Sequence, residues 1–125
     1  ASISLVVGAI GIMNTTFTSV LERRKEIAIM KSVGAKNYSI LTIFLTEAGI
    51  MALIGGIVGV ILGYLNAKLV QLISARYLKT LALIIKIDLR FVVFVLLFSF
   101  FIGIISGIAP AWQASKLKPV EGLRQ

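Results

Sequence analysis

Long apolar runs alternate with short polar segments along the chain. The apolar runs cover residues 1–21, 40–65 and 91–109, and Glu47 is the one charged residue among them. A helix that crosses a bilayer needs about 20 mostly apolar residues, whereas strands of a membrane barrel would alternate in polarity. The pattern therefore predicts an all-α integral membrane protein with three transmembrane helices.

The composition excludes an ordinary soluble domain. Of the 125 residues, 58% are hydrophobic and 14% are charged, and the mean hydropathy is +1.02. Soluble domains usually carry about 25% charged residues. The sequence contains no Cys and no His, which excludes disulfides and any catalysis or metal binding by these residues. Because a phosphate-binding glycine loop is absent too, we expect no catalytic, cofactor-binding or metal site in this chain.

Basic residues are distributed unevenly over the polar segments. Three spans place residues 22–39 and 110–125 on one side of the membrane, where they hold eight basic residues, against five in residues 66–90. The positive-inside rule therefore predicts that residues 22–39 form a cytoplasmic loop and residues 110–125 a cytoplasmic tail. Residues 66–90 are then an extracytoplasmic loop, and the membrane is a plasma or inner membrane. We expect contacts with membrane lipid and none with nucleic acid, because the basic loop is short, lies at the membrane and has few aromatic residues.

The first apolar run begins at Ala1, with no initiating Met and no preceding basic segment. No small-residue cleavage site follows it, so the run is atypical of a signal peptide. We expect a true span that belongs to a longer protein.

A short amphipathic helix is predicted over residues 22–35. Ile27, Met30 and Val33 recur at helical spacing, and no Gly or Pro separates them from the first span. The first helix is therefore expected to run straight out of the membrane into this segment. Gly34 is a typical residue at a helix end.

The ends of the other two spans carry weaker signals. The second span is predicted to continue past residue 65 as an amphipathic helical segment. Residues 85–90 alternate in polarity, which predicts a short extended stretch or strand, and Asp88 is a candidate cap for the third span. Pro110 is expected to close that span, because proline disrupts a helix interior.

Small residues recur every four positions in two spans and predict close helix packing. A pore lining or a sliding surface is the alternative interpretation. The residues concerned are Gly55, Gly59, Gly63, Ser99, Gly103 and Gly107.

Glu47 is an acidic residue inside an apolar span. A charged group in the bilayer is energetically costly, by about 2.5–3.5 kcal/mol or more at mid-depth. A proton or cation site is one interpretation, and a polar contact to a neighbouring helix or to the interface is the other.

Two segments resemble the MacB/FtsX-type permeases of ABC transporters. Residues 22–35, Glu-Arg-Arg-Lys-Glu-Ile-Ala-Ile-Met-Lys-Ser-Val-Gly-Ala, resemble the family's E-R-x-x-E-I-x-x-x-K/R-x-x-G-A pattern, which follows its second transmembrane helix. Residues 110–124, Pro-Ala-Trp-Gln-Ala-Ser-Lys-Leu-Lys-Pro-Val-Glu-Gly-Leu-Arg, resemble its closing P-A-W/R-x-A-x-x-x-x-P-x-E-x-L-R pattern. The Glu47-Ala48 pair is also typical. The resemblance covers essentially the whole chain and is to the C-terminal transmembrane half of such a permease.

The resemblance implies a permease subunit that is not itself an enzyme. In this family two permeases dimerise, and each binds a cytosolic ATPase, which holds ATP and magnesium. Residues 22–35 would be the coupling helix that docks on the ATPase, and the spans would relay its movement outward for export or extraction. The implied docking residues are Arg23, Arg24, Glu26, Ile27, Ile29, Met30, Lys31, Val33 and Gly34.

Two alternatives to a transporter subunit stay open. One is an FtsX-like signal transducer that controls a cell-wall hydrolase and transports nothing. The other is an oligomeric three-span protein or pore unrelated to ABC systems.

Overall fold

The computed structural model describes residues 2–77, 86–118 and 120, and these form four helices. The helices are α1 (Ser2–Glu22), α2 (Arg24–Ser32), α3 (Asn37–Tyr77) and α4 (Leu89–Ser115). Three of them, α1, α3 and α4, are long and apolar enough to cross a membrane. The described part of the chain contains no strand. The predicted all-α class with three spanning helices is therefore confirmed.

The chain bends between α1 and α2, so the prediction of a straight helix is wrong. Arg23 interrupts the helix with φ −96° and ψ 12°. Backbone hydrogen bonds nevertheless bridge the interruption, from the Arg23 N–H to the Ser19 carbonyl and from the Ile27 N–H to the Arg23 carbonyl, each at 3.0 Å. Beyond this interruption α2 lies against the other helices, with Ile27 buried among their side chains.

Gly34 ends α2, as its residue type predicts. Its φ of +100° is a conformation that residues with a Cβ rarely adopt. The Gly34 N–H donates to the Lys31 carbonyl at 3.1 Å, and the Ala35 N–H donates to the Met30 carbonyl at 3.0 Å. This pair of bonds is the Schellman motif. It satisfies the last carbonyls of α2 and turns the chain into α3.

The second span continues without a break through the predicted amphipathic segment, giving 41 residues in α3. Of the two alternatives for residues 85–90, the strand is wrong where the structure describes it, because residues 86–88 have no regular structure and α4 begins at Leu89. Asp88 itself has an extended backbone, with φ −87° and ψ 124°. Residue 85 lies outside the described residues. Asp88 does cap α4, because its carboxylate accepts a hydrogen bond of 3.0 Å from the Arg90 N–H. This local cap, and not strand pairing, sets the start of the helix.

Pro110 lies inside α4, which runs on to Ser115, so the expectation that Pro110 closes the span is wrong. A proline in a helix interior costs about 3 kcal/mol. Here the residue is buried, and the face on which it lies continues to Ala111 and Ala114, both fully buried. The packing of this face therefore compensates for the missing hydrogen bond.

Close packing of α3 on α4 holds the middle of the bundle together. A Cβ placed on Gly107 would lie 2.6 Å from the Ala48 Cβ, and one placed on Gly103 would lie 2.7 Å from the Ala48 carbonyl oxygen. Real Cβ atoms essentially never approach other atoms this closely. The Ser99 hydroxyl donates to the Ala52 carbonyl at 2.7 Å. Small residues on α4 thus let the two helix backbones come together.

Candidate functional site

The α2 helix packs on the ends of all three spanning helices. Ile27 is fully buried, and Ala28 beside it is also buried. Ile27 belongs to a cluster of buried side chains contributed by α1, α3 and α4: Val20, Ile40, Phe44, Ala111 and Ala114. Met30 is partly buried and packs against the same cluster. One face of α2 is therefore part of the core of this chain.

Lys31 attaches α2 to the end of α4. Its ammonium group donates to the carbonyl oxygen of Ser115, the last residue of α4. The last carbonyls of a helix have no partners within the helix, and they carry the negative end of the helix dipole. A buried backbone acceptor is thus satisfied by a cation from a different helix.

A polar cluster attaches the bend between α1 and α2 to α3. The Arg23 guanidinium lies 3.7 Å from one carboxylate oxygen of Glu47 and 3.6 Å from the carboxylate of Glu26. The Ser19 hydroxyl donates to the other oxygen of Glu47 at 3.4 Å. Glu47 thus makes the polar contact to neighbouring helices that was one of its two interpretations. Among the described residues, no group of three or more metal-ligand side chains is present.

The opposite face of α2 is exposed. Ile29 is 49% exposed and Val33 is 84% exposed. The polar and charged residues near these two apolar side chains in sequence include four that are also exposed: Lys25, Glu26, Ser32 and Lys36. An apolar pair within a charged rim is the usual composition of a helix face that docks in a groove.

The predicted docking residues therefore separate into two groups, and the inclusion of Ile27 is corrected. Ile27 has no accessible surface. Met30 is half-buried because it packs against the core. Lys31 is half-buried as well, and it donates a hydrogen bond to the Ser115 carbonyl. Ile29 and Val33 remain available, as do the other exposed members of the predicted set: Arg23, Arg24, Glu26 and Gly34.

Sequence reasoning missed Lys25 and Lys36 as part of the exposed face. Helical geometry carries the signal, since adjacent residues differ by about 100° around the axis. Two residues from Ile27, Ile29 points to nearly the opposite side, and Lys25 lies one turn before Ile29. Lys36 is exposed beyond the turn at Gly34. Treating the two isoleucines as one apolar face obscured this.

The small-residue stripes occupy two different environments. Ser99, Gly103 and Gly107 contact α3. A Cβ at Gly55, Gly59 or Gly63 would meet no atom within 4 Å. The packing prediction for these three glycines stays a prediction, because their surroundings within this chain are open.

Glu47→Gln is expected to lower the free energy of unfolding by about 1 kcal/mol or less. The substitution keeps the shape of the side chain but removes a partly exposed ion pair, and such pairs contribute about 0.2–1 kcal/mol. Thermal unfolding of the permease in detergent, at low and high salt, measures the effect, which should shrink at high salt. Glu22→Gln is the control, since Glu22 is exposed and makes no ion pair within the described ranges. Equal losses in both variants would contradict the link to α3.

Three apolar helices, with a short helix packed on their ends, define a multi-pass protein of the cell membrane. The FtsX-like permease C-terminal family matches residues 1–119. The chain is 48% identical over 126 residues to an uncharacterised ABC transporter permease of Methanocaldococcus jannaschii, covering 99% of this chain and 31% of the relative. An uncharacterised ABC transporter permease of Bacillus subtilis is 47% identical over 99% of this chain and 30% of its own length.

A further relative is the macrolide export ATP-binding/permease protein MacB of Bdellovibrio bacteriovorus. It is 42% identical over 124 residues, which cover 99% of this chain and 18% of the relative. The chain therefore belongs to the FtsX-like permease family. It spans less than a third of the length of these relatives.

Proposed function

We propose that this chain is the transmembrane part of an ABC transporter permease that relays ATP-driven movement from a cytosolic ATPase across the membrane, in an export or extraction system. Membership of the FtsX-like permease family supports the proposal, as do relatives named ABC transporter permeases. The observation that carries it is the position of α2. One face of this helix is fixed to three spanning helices, and the other presents Ile29 and Val33 to solvent.

A relay element needs both of these properties. The outer face must bind a partner that moves, and the inner face must transmit the movement to helices that cross the membrane. The burial of Ile27 and the bond from Lys31 to Ser115 supply the second property. The exposed pair Ile29 and Val33 fits the first property, with Lys25 and Lys36 as cations that would orient an acidic groove rim.

In this proposal the chain itself is not the catalyst. ATP and magnesium bind on the partner ATPase, and this chain binds no cofactor. Two copies of the permease, or a permease and a homologue, form the dimer that two ATPases drive. The cytoplasmic side is the side of α2, in agreement with the excess of basic residues there.

The double variant Ile29→Asp, Val33→Asp is expected to weaken binding of the partner ATPase at least about tenfold. Two carboxylates would have to be buried in an apolar groove, and loss of buried contacts at a few central residues dominates most interfaces. Co-purification of the full-length permease with its ATPase measures the effect. Membrane insertion should be unchanged, because both side chains are exposed.

Val120→Asp is the matched control for this experiment. Val120 is an exposed valine, 74% accessible, which follows the end of α4 and is not part of α2. The control should retain full ATPase binding. Equal binding by wild type and the double variant would contradict docking through this face of α2.

A second candidate function is a transmembrane signal transducer of the FtsX type that controls a cell-wall hydrolase. The match to the FtsX-like family favours it. Both functions would use the same docking face of α2. They differ in whether a substrate crosses or leaves the membrane, so transport assays on the full-length protein with its ATPase separate them.

A further inference from the structure

Two cavities lie between α1 and α4. Near the α2 end, a cavity of about 250 Å³ is lined by Arg24 and Lys116 as well as by apolar side chains. Deeper in the bundle, a second cavity of about 610 Å³ is lined mainly by apolar residues such as Val7 and Ile10. Phe17 and Gln113 line both cavities, so the two cavities are adjacent and form one groove.

The chemistry changes along this groove from cationic to apolar. At its mouth, Arg24 makes no ion pair with any described residue, and the Lys116 ammonium lies 3.5 Å from the centre of the Trp112 ring. Trp112 is 56% exposed, and tryptophan is typical of the membrane–water interface. This end of the groove is therefore at the level of the lipid headgroups.

The apolar part of the groove has the length of a lipid acyl chain. Along α1 the apolar cavity runs from Val7 to Phe17, a rise of about 15 Å, and one leaflet contains roughly 15 Å of hydrocarbon. The Gly11 backbone keeps the groove open, since a Cβ there would meet no atom within 4 Å. An apolar helix in the same place would leave two cations at the mouth without an acidic partner, whereas a phosphate group would pair with both.

We propose that this groove binds one anionic phospholipid from the leaflet on the α2 side, with its phosphate between Arg24 and Lys116 and an acyl chain along α1 and α4. The lipid would contact α2 through Arg24 and α4 through Lys116. It would thus bridge the same two helices that Lys31 connects.

The test is native mass spectrometry of the full-length permease, delipidated and then supplied with equal amounts of phosphatidylglycerol and phosphatidylcholine. Wild type should retain phosphatidylglycerol preferentially. Arg24→Gln with Lys116→Gln should lower its retention about 30-fold, because each base near an anionic lipid contributes about a fivefold factor. Lys25→Gln with Lys36→Gln, which removes two bases that line neither cavity, is the control and should retain the lipid.

A second pair of variants tests the apolar part of the groove. Gly11→Leu should fill it and reduce retention of the lipid. Gly8→Leu should not, because Gly8 is equally open but lines a different cavity.

Equal retention of the two lipids by wild type, or unchanged retention in the Arg24 and Lys116 variant, would overturn the proposal. So would a Gly11→Leu variant that retains the lipid and instead loses dimer mass, which would mean that protein fills the groove. Lipid retention is independent of ATPase binding, so the result does not depend on the proposed function.

Discussion

Gly103→Leu is expected to force α3 and α4 apart and to lower the free energy of unfolding by about 3 kcal/mol. A Cβ at Gly103 would already lie 2.7 Å from the Ala48 carbonyl oxygen and would clash with the Ala52 side chain. Both are on a rigid helix, so neither can move without shifting the backbone. Overpacking of a tight core typically costs about 1–3 kcal/mol, and this position is at the upper end because backbone atoms are involved. Thermal unfolding in detergent, followed by circular dichroism, measures the loss.

Gly59→Leu is the matched control for this packing prediction. It makes the same change in the middle of a spanning helix, at a position where a Cβ meets no atom within 4 Å. Its effect on thermal unfolding should stay within about 0.5 kcal/mol, as for substitutions without new contacts. Equal destabilisation by the two variants would contradict the packing of α3 on α4. A change in dimerisation caused by Gly59→Leu alone would instead support the packing role predicted for the open stripe.

Ile27→Asp is expected to prevent stable packing of α2, with a loss above about 3 kcal/mol. Ile27 has no accessible surface, and a carboxylate there would lie among apolar side chains such as Val20 and Phe44. Burial of an unpaired charge is among the most destabilising changes in a protein. The measurement is the yield of monodisperse permease after detergent extraction, together with its unfolding temperature.

Ile29→Asp is the natural comparison, because it makes the same substitution two residues further along the same helix. Ile29 is 49% exposed, so its replacement should leave yield and unfolding temperature nearly unchanged while weakening ATPase binding. A similar loss of yield in the two variants would mean that α2 does not lie on the bundle in this orientation. The pair thus separates the inner face of α2 from its outer face.

The existence of the three spans could be predicted from the sequence, but their ends could not. Uninterrupted apolar runs are a strong signal because the bilayer requires about 20 such residues. Where a helix stops depends on contacts outside the run. Helix α4 passes Pro110 because that residue and Ala111 are buried against other helices, and these contacts are distant in sequence. Asp88 could be recognised as a cap because capping is local, within two residues.

The existence of a short helix between the first two spans could be predicted, but the direction in which its side chains face could not. Periodicity grouped Ile27, Met30 and Val33 as one apolar face, but only Ile27 and Met30 face the core, since Val33 is 84% exposed. Nothing within residues 22–35 indicates that this face packs on Val20, Ile40 and Ala111, which come from three different helices. An apolar stripe for a partner and one for the chain's own core have the same spacing, and only the tertiary arrangement distinguishes them.

The glycine stripes illustrate a related limit. Gly103 and Gly107 pack on Ala48 and Ala52, and alanine has no feature that marks it as a helix contact, since it is also the best helix former. The conspicuous stripe on α3 begins at Gly55, three positions beyond Ala52. Three residues correspond to about 300° around a helix, so Gly55 faces about 60° away from Ala52. Gly59 and Gly63 lie within about 20° of the direction of Ala52, but they line a cavity between α3 and the start of α4. On α3 the glycines that do contact α4 are Gly49, against Phe100, and Gly56, against Ser99, and the four-residue stripe includes neither of them.

The bend at Arg23 and the turn at Gly34 leave α2 as a nine-residue bar held near both of its ends. One end is tied to α3 through Glu47, and the other is tied to α4 through the Ser115 carbonyl. When a rigid helix is held at two points, a force applied between them is shared by the two attachments, and the nearer attachment carries the larger part. Pressure near Arg23 would thus load α3 more, and pressure near Lys31 would load α4 more. In the proposed relay, the place at which the ATPase presses on α2 would therefore decide how the force is shared between α3 and α4.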